Sequence, residues 1–144
     1  MNCTRWWFTE AWLGGDNRKD SDIDLLIIAE GLPKSMIGRY RIFEQVELQL
    51  MGDVEKLYDE GYYVSFSPIM KTPPEEASHF SPLYMDMVED AVILFDKDNF
   101  FGNILKRVKE KLNELGFERV WLGRKWYWRK RDYRFGGEII DFGD

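Results

Sequence analysis

The chain has 144 residues, of which 44% are hydrophobic and 32% charged, and a formal net charge of −6. That size and balance fit one soluble domain able to bury a core, and the acidic total gives no general case for nucleic-acid binding. The lone cysteine, Cys3, excludes an internal disulfide. No apolar run is long enough to span a membrane and no signal peptide is recognisable, so a cytoplasmic location is expected.

In chain order, Arg5-Trp6-Trp7-Phe8 has no clear period, and 13–20 reads as a polar loop. A strand is predicted over 23–29, ended by Gly31-Leu32-Pro33. Ile37, Tyr40, Phe43, Val46, Leu50, Val54 and Leu57 recur at steps of three and four, which predicts a long helix stopped by Gly61. A second strand is predicted over 62–69, with Pro68 marking an edge or an end. Thr72-Pro73-Pro74 reads as a turn, 75–79 and 83–90 as helical, and 91–95 as a short strand or an apolar helix end. Ile104, Val108, Leu112 and Leu115 define an amphipathic helix closed by Gly116. The remainder reads as a strand or hairpin, then Ile139-Ile140. Strands alternating with helices predict an α/β or α+β fold, a mixed sheet with helices packed on one face.

The charge is uneven. Over 119–134 seven basic residues stand against Asp132, a net of +6, which leaves −12 on the rest. Cations and aromatics interleave there, as in Trp121-Leu122-Gly123-Arg124-Lys125-Trp126-Tyr127-Trp128. Such a stretch could grip a nucleotide or a single-stranded RNA end. The favoured reading is a half-buried strand whose aromatics pack inward and whose cations offset the acidic body.

The chemistry concentrates in Ser21-Asp22-Ile23-Asp24-Leu25-Leu26-Ile27-Ile28. Side chains alternate along a strand, so Asp22 and Asp24 point the same way. Two carboxylates on one strand face repel unless a cation lies between them, and Mg2+ is held by one or two carboxylates together with substrate phosphates. An EF-hand starting at Asp20 is rejected, because Leu25 and Gly31 stand where that loop needs glycine and glutamate. The remaining alternative is a solvated strand end with acids at the turn.

Gly15, the loop 16–20 and Ser21 to Leu25 resemble the second half of the signature of the minimal nucleotidyltransferases, archaeal type, relatives of the DNA polymerase beta superfamily. The resemblance covers about the first half of the chain. It implies a polymerase beta palm-like core over 1–96, extended over 97–144 by a helix and the aromatic, basic tail of the same domain. It implies that Asp22 and Asp24 are the metal-binding and catalytic carboxylates, with Mg2+ or Mn2+ as cofactor. It further implies that Gly14, Gly15, Arg18 and Ser21 line the phosphates of a nucleoside triphosphate, ATP. Family members of this size act on a partner protein, such as the toxin of a toxin–antitoxin operon, so a protein acceptor is implied as well.

Two parts of the family pattern are missing. The Gly-Ser turn that would cradle phosphate is replaced by Glu10-Ala11, and a carboxylate there would repel the anion. Read one base out of register, the codons of 5–15 can give (Leu/Val)-Val-Val-(Tyr/His)-Gly-Ser-Leu-Ala-Arg-Gly, an apolar strand followed by the absent motif. The hypothesis is that residues 1–15 arise from a frameshift; the coding DNA across codons 1–20 tests it, and a stop or no Gly-Ser in the offset frame ends it. A chain so altered is expected to lack its first strand and phosphate turn.

The family's third carboxylate is expected on the strand 62–69, which offers Ser65 and Ser67 instead. Serine is neither a charged ligand nor a general base at neutral pH. Glu47, Asp86 and Glu89 are substitutes by acidity alone, and solvated helix faces explain them better. His79 reads as a surface residue. Three functions are therefore open: a metal-dependent nucleotidyltransferase; a degenerate, inactive member of that fold that binds nucleotide or a partner protein, antitoxin-like; and, more weakly, a sugar-nucleotide glycosyltransferase, which also uses Asp-x-Asp.

Overall fold

The computed structural model describes residues 6–12, 20–78, 82–123 and 125–131. Its centre is the strand β2 (Asp20–Ala29), whose residues Leu25 to Ala29 are all buried. A continuous Leu-Leu-Ile-Ile-Ala run suits a strand covered on both faces. β2 pairs in parallel with β3 (Tyr63–Lys71) and antiparallel with β1 (Trp6–Trp12). β4 (Ala91–Asp96) pairs antiparallel with β1, which gives a four-stranded mixed sheet in the order β3-β2-β1-β4.

The α/β class and the mixed sheet agree with the sequence reading. The helices, however, lie on both faces of the sheet rather than one. Leu26 and Ile28 pack with Tyr84 and Met87 of α3 (Pro82–Asp90) and with Phe101, Ile104 and Leu112 of α4 (Phe100–Glu114). Leu25 and Ile27 point the other way, into a cluster with Phe43 of α1 (Met36–Asp59) and Met70. The two-residue period of β2 divides its apolar side chains between two cores, and each core requires its own helical cover.

Residues 6–12, without a recognisable period, form β1 all the same. Trp, Phe and Thr are good strand formers, and the slot between β2 and β4 offers hydrogen bonds on both sides. A first strand thus stands beside β2 with the residues as translated. Pro68 lies inside β3 rather than ending it, as an edge strand permits. Thr72-Pro73-Pro74 is not a free turn, because Pro73 opens the short helix α2 (Pro73–Ser78), the position where a missing N–H costs nothing.

Local signals set the ends of α1. Ser35 caps its start by accepting from the Gly38 N–H at 3.1 Å. A β-carbon at residue 38 would come within 2.8 Å of that hydroxyl, so glycine there leaves room for the cap. At the other end Gly61 takes a φ of 85°, and the chain turns into β3.

One charged residue lies in the α1 core. Arg39, 7% exposed, donates from Nε to the Pro33 carbonyl (2.7 Å), from one terminal nitrogen to the Met70 carbonyl (2.8 Å), and to both carboxylate oxygens of Glu75 (2.8 and 2.9 Å). The Thr72 N–H also donates to Glu75. These bonds lock the first turn of α1, the end of β3 and α2 together. The Arg39 guanidinium, helped by the Thr72 amide, holds the Glu75 carboxyl down to about 2.

Asp96 starts α4 by accepting from the N–H groups of Phe101 (3.1 Å) and Gly102 (2.8 Å). The aromatic, basic stretch folds as the hairpin β5 (Phe117–Leu122) and β6 (Lys125–Lys130). Phe117 and Trp128 pack on the α3/α4 core. Arg119 donates to both oxygens of Asp90 at 2.9 Å, with its guanidinium 4.5 Å from the Trp121 ring centre and 4.2 Å from that of Trp126. Arg129 pairs with Glu118. Two of the cations, Arg119 and Arg129, are thus paired with carboxylates, and Phe117 and Trp128 of the hairpin pack inward. Ile139 and Ile140 lie outside the described residues.

Candidate functional site

β2 has two unlike halves. Past Leu25 it is core; before it, Asp22 is exposed and Asp24 half-buried. By strand alternation the two aspartates share the face that carries Leu26 and Ile28 further along. The parallel ladder sets Asp22 beside Ser65 and Asp24 beside Ser67. Register, not sequence proximity, therefore fills the neighbouring positions with hydroxyls, and the Ser65 hydroxyl donates to Oδ1 of Asp22. Among the described residues no group of three or more His, Cys, Asp or Glu is placed to hold a metal ion.

Of the candidate third carboxylates, two are engaged elsewhere. Asp86 accepts from the Trp128 indole at 3.2 Å, and burial pushes its carboxyl up. Glu89 pairs with Lys109 at 3.5 Å. Glu47 faces a groove that it shares with Ser65. On the phosphate side, Trp12 at the end of β1 pairs with Asp24, so β1 ends where β2 begins. Gly14, Gly15, Arg18 and His79 lie outside the described residues. The backbone of Ser21 is placed opposite Val64 in the β2/β3 ladder.

Beside Asp22 lies an open pocket of about 440 Å³, walled by Tyr58, Tyr62, Tyr63 and Val54. Tyr58 and Tyr63 meet edge to face at 5.1 Å between ring centres. This aromatic wall escaped the sequence reading. Its signal was present as the Tyr62-Tyr63 pair at the head of a strand, just after the glycine that turns α1 back toward Asp22.

Two carboxylates and a hydroxyl at an open strand end are a donor set for one hard divalent cation whose remaining positions are filled by water or substrate phosphate. By the chemistry of the donors alone the set suits such an ion, with a smaller negative charge than three carboxylates would supply.

No protein-family model matches the chain. A curated protein of Methanocaldococcus jannaschii, named "Putative protein adenylyltransferase", is 32% identical over 90 residues, or 62% of this chain. Over those 90 residues the sequence is similar to a protein named for adenylyl transfer. The match spans 56% of that relative's length, little more than half. Two solved toxin–antitoxin structures, one with AMP-PNP and one a mutant of the MntA–HpeT pair, align with TM-scores of 0.43 and 0.42 at 14% and 13% identity. Each alignment covers 78% of this chain and 82% of the other, and overlap at that level bears on neither site nor activity. No described helix is long and apolar enough to cross a membrane.

Proposed function

We propose that the chain is a metal-dependent nucleotidyltransferase that moves a nucleoside monophosphate from a nucleoside triphosphate, ATP, to a hydroxyl on a partner protein. The observation that carries this reading is the Asp22/Asp24 pair on one face of the open end of β2, beside an open pocket, in a chain whose relative is named for adenylyl transfer to protein. Asp22 and Asp24 would hold Mg2+ or Mn2+. A divalent cation there supplies charge neutralisation for a triphosphate. The acceptor oxygen attacks the α-phosphorus, the bond to the β-phosphate breaks, pyrophosphate leaves, and the acceptor proton passes to solvent. This chain contributes positioning and electrostatics. The phosphate-lining role of Gly14, Gly15, Arg18 and Ser21 is carried by their resemblance to the nucleotidyltransferase signature.

ATP labelled at the α-phosphate tests the reading. Transfer of label to protein in the presence of Mg2+ or Mn2+, lost by several orders of magnitude in Asp22→Ala, is the expected outcome. Titration with Mn2+ followed by its spin resonance gives a readout of the cation independent of turnover. A second reading, a nucleotide- or partner-binding module without turnover, is favoured by Ser65, whose hydroxyl occupies an oxygen of Asp22 where the family's pattern has a third carboxylate. Nucleotide binding without transfer, unchanged in Asp22→Ala, would establish it.

A further inference from the structure

The Asp22 pocket shares Val54, Val64 and Ser65 with a neighbouring groove of about 610 Å³ that lies between α1 and the edge strand β3. α1 carries two apolar stripes. One, around Phe43 and Val46, packs on the sheet. The other forms the groove wall and stays in water: Tyr40 is 50% exposed, Leu48 60% and Met51 53%. Single exposed apolar residues need no explanation, but a stripe walling a groove that adjoins an acidic site marks a binding surface. The charges in the groove are Glu44 and Glu47, with Asp22 in the adjoining pocket, and among the described lining residues of both there is no lysine or arginine. Among the described residues the other wall, β3, is an edge strand paired with β2. Pro68 lacks an N–H, so new ladder bonds fit best before it, over 63–67.

We infer that this groove docks an extended, basic and apolar segment of a partner protein and leads a hydroxyl side chain of that segment to Asp22. The delivery rests on the nucleotidyltransferase reading; the docking does not. From Tyr40 to Val54 α1 advances about 21 Å at 1.5 Å per residue, which an extended segment spans in about six residues. Apolar side chains at alternate positions meet Leu48 and Met51, and the cations between them meet Glu44 and Glu47. A segment of that pattern satisfies both walls, while an acidic one leaves like charges facing each other.

Synthetic peptides of alternating Leu and Arg with one Tyr, and a matched set with Glu for Arg, test this by fluorescence anisotropy with the full chain. The arginine peptide is expected to bind at least about tenfold more tightly, about 1.4 kcal/mol. The double substitution Glu44→Lys with Glu47→Lys is expected to reverse the preference, and the uncharged Met51→Ser to weaken the arginine peptide about tenfold with thermal unfolding unchanged. Equal binding of the two peptides, or a preference that the lysine pair leaves unmoved, overturns the inference. So does a dimer in sedimentation that Met51→Ser splits, because the occupant is then a second copy. A bound arginine peptide that takes no label from ATP leaves the docking standing and counts against the nucleotidyltransferase reading. Transfer to other acceptors with neither peptide bound does the reverse.

Discussion

Replacing Ser65 by Asp puts a third carboxylate beside Asp22, at the position the β2/β3 register assigns. Without a cation the change is costly. The hydroxyl bond to the Asp22 carboxylate is lost, about 1.5 kcal/mol for a bond to a charged acceptor. In its place two like charges stand on neighbouring strands, about 0.5 to 1 kcal/mol more. The sum is about 2 kcal/mol, which for a domain of this size lowers the unfolding midpoint by about 5–8 °C. A divalent cation held by three carboxylates reverses the sign: at a concentration about 100 times its dissociation constant it returns about 2.7 kcal/mol. The assay is thermal unfolding of wild type and Ser65→Asp, with chelator and then with Mn2+. The expected result is a variant less stable than wild type in chelator and at least as stable in saturating Mn2+, with a larger metal-induced shift than wild type. A variant as stable as wild type in chelator would refute the placement of residue 65 beside Asp22. A variant destabilised but indifferent to metal would refute the cation site itself.

Arg39→Met should destabilise by about 2–3 kcal/mol in urea unfolding, below the full cost of breaking a buried pair because Glu75 is 46% exposed. Glu75 gives the stability profile an acid limb. Its carboxyl falls from an ordinary 4.5 to about 2 on folding, so its contribution is complete above pH 4.5 and disappears as pH falls toward 2. That shift is worth about 3 kcal/mol unscreened and about 1–2 after discounting for exposure, and Glu75→Gln should flatten the limb in urea titrations across that window. Asp86 runs the other way: burial raises its carboxyl, so Asp86→Asn, which keeps an acceptor for Trp128, should be neutral or stabilising at pH 7 by thermal unfolding. Gly102→Ala should be neutral or stabilising by up to about 1 kcal/mol in thermal unfolding, because alanine favours the helix and the one atom its β-carbon would crowd is the movable amide end of Asn99, at 2.3 Å.

The sequence made some elements legible because their causes are local. The apolar run of β2, the steps of three and four in α1 and α4, and the stops at Gly61 and Gly116 depend only on neighbours along the chain. The two-sided helix cover was legible in principle, since Leu25 to Ala29 is apolar without alternation, a pattern that asks for cover on both faces. β1 was illegible because its strand character comes from the slot between β2 and β4, not from a period. The buried role of Arg39 was hidden because its partner Glu75 is distant in sequence and only the end of β3 brings it near. At the site, Asp22 and Asp24 were legible as a pair from strand alternation. The bond from Ser65 to Asp22 required the parallel register, which no one-dimensional pattern fixes.

The division of β2 also decides what mutations at the site can report. Its buried half, Leu25 to Ala29, has its side chains in two cores, and the Arg39–Glu75 clasp sits at the far end of β3, beyond Met70. The aspartate half adds little burial and carries like charges close together, which in the absence of a cation opposes folding. Removing Asp22 gives up the Ser65 bond but also the like-charge repulsion, so stability should fall by only about 1 kcal/mol or less while function is lost, the relation expected of a site whose geometry is held by structure elsewhere. A loss of activity in Asp22→Ala accompanied by a loss of stability comparable to that of Arg39→Met would mean that Asp22 serves the fold, and the acidic pair could no longer be read as a site.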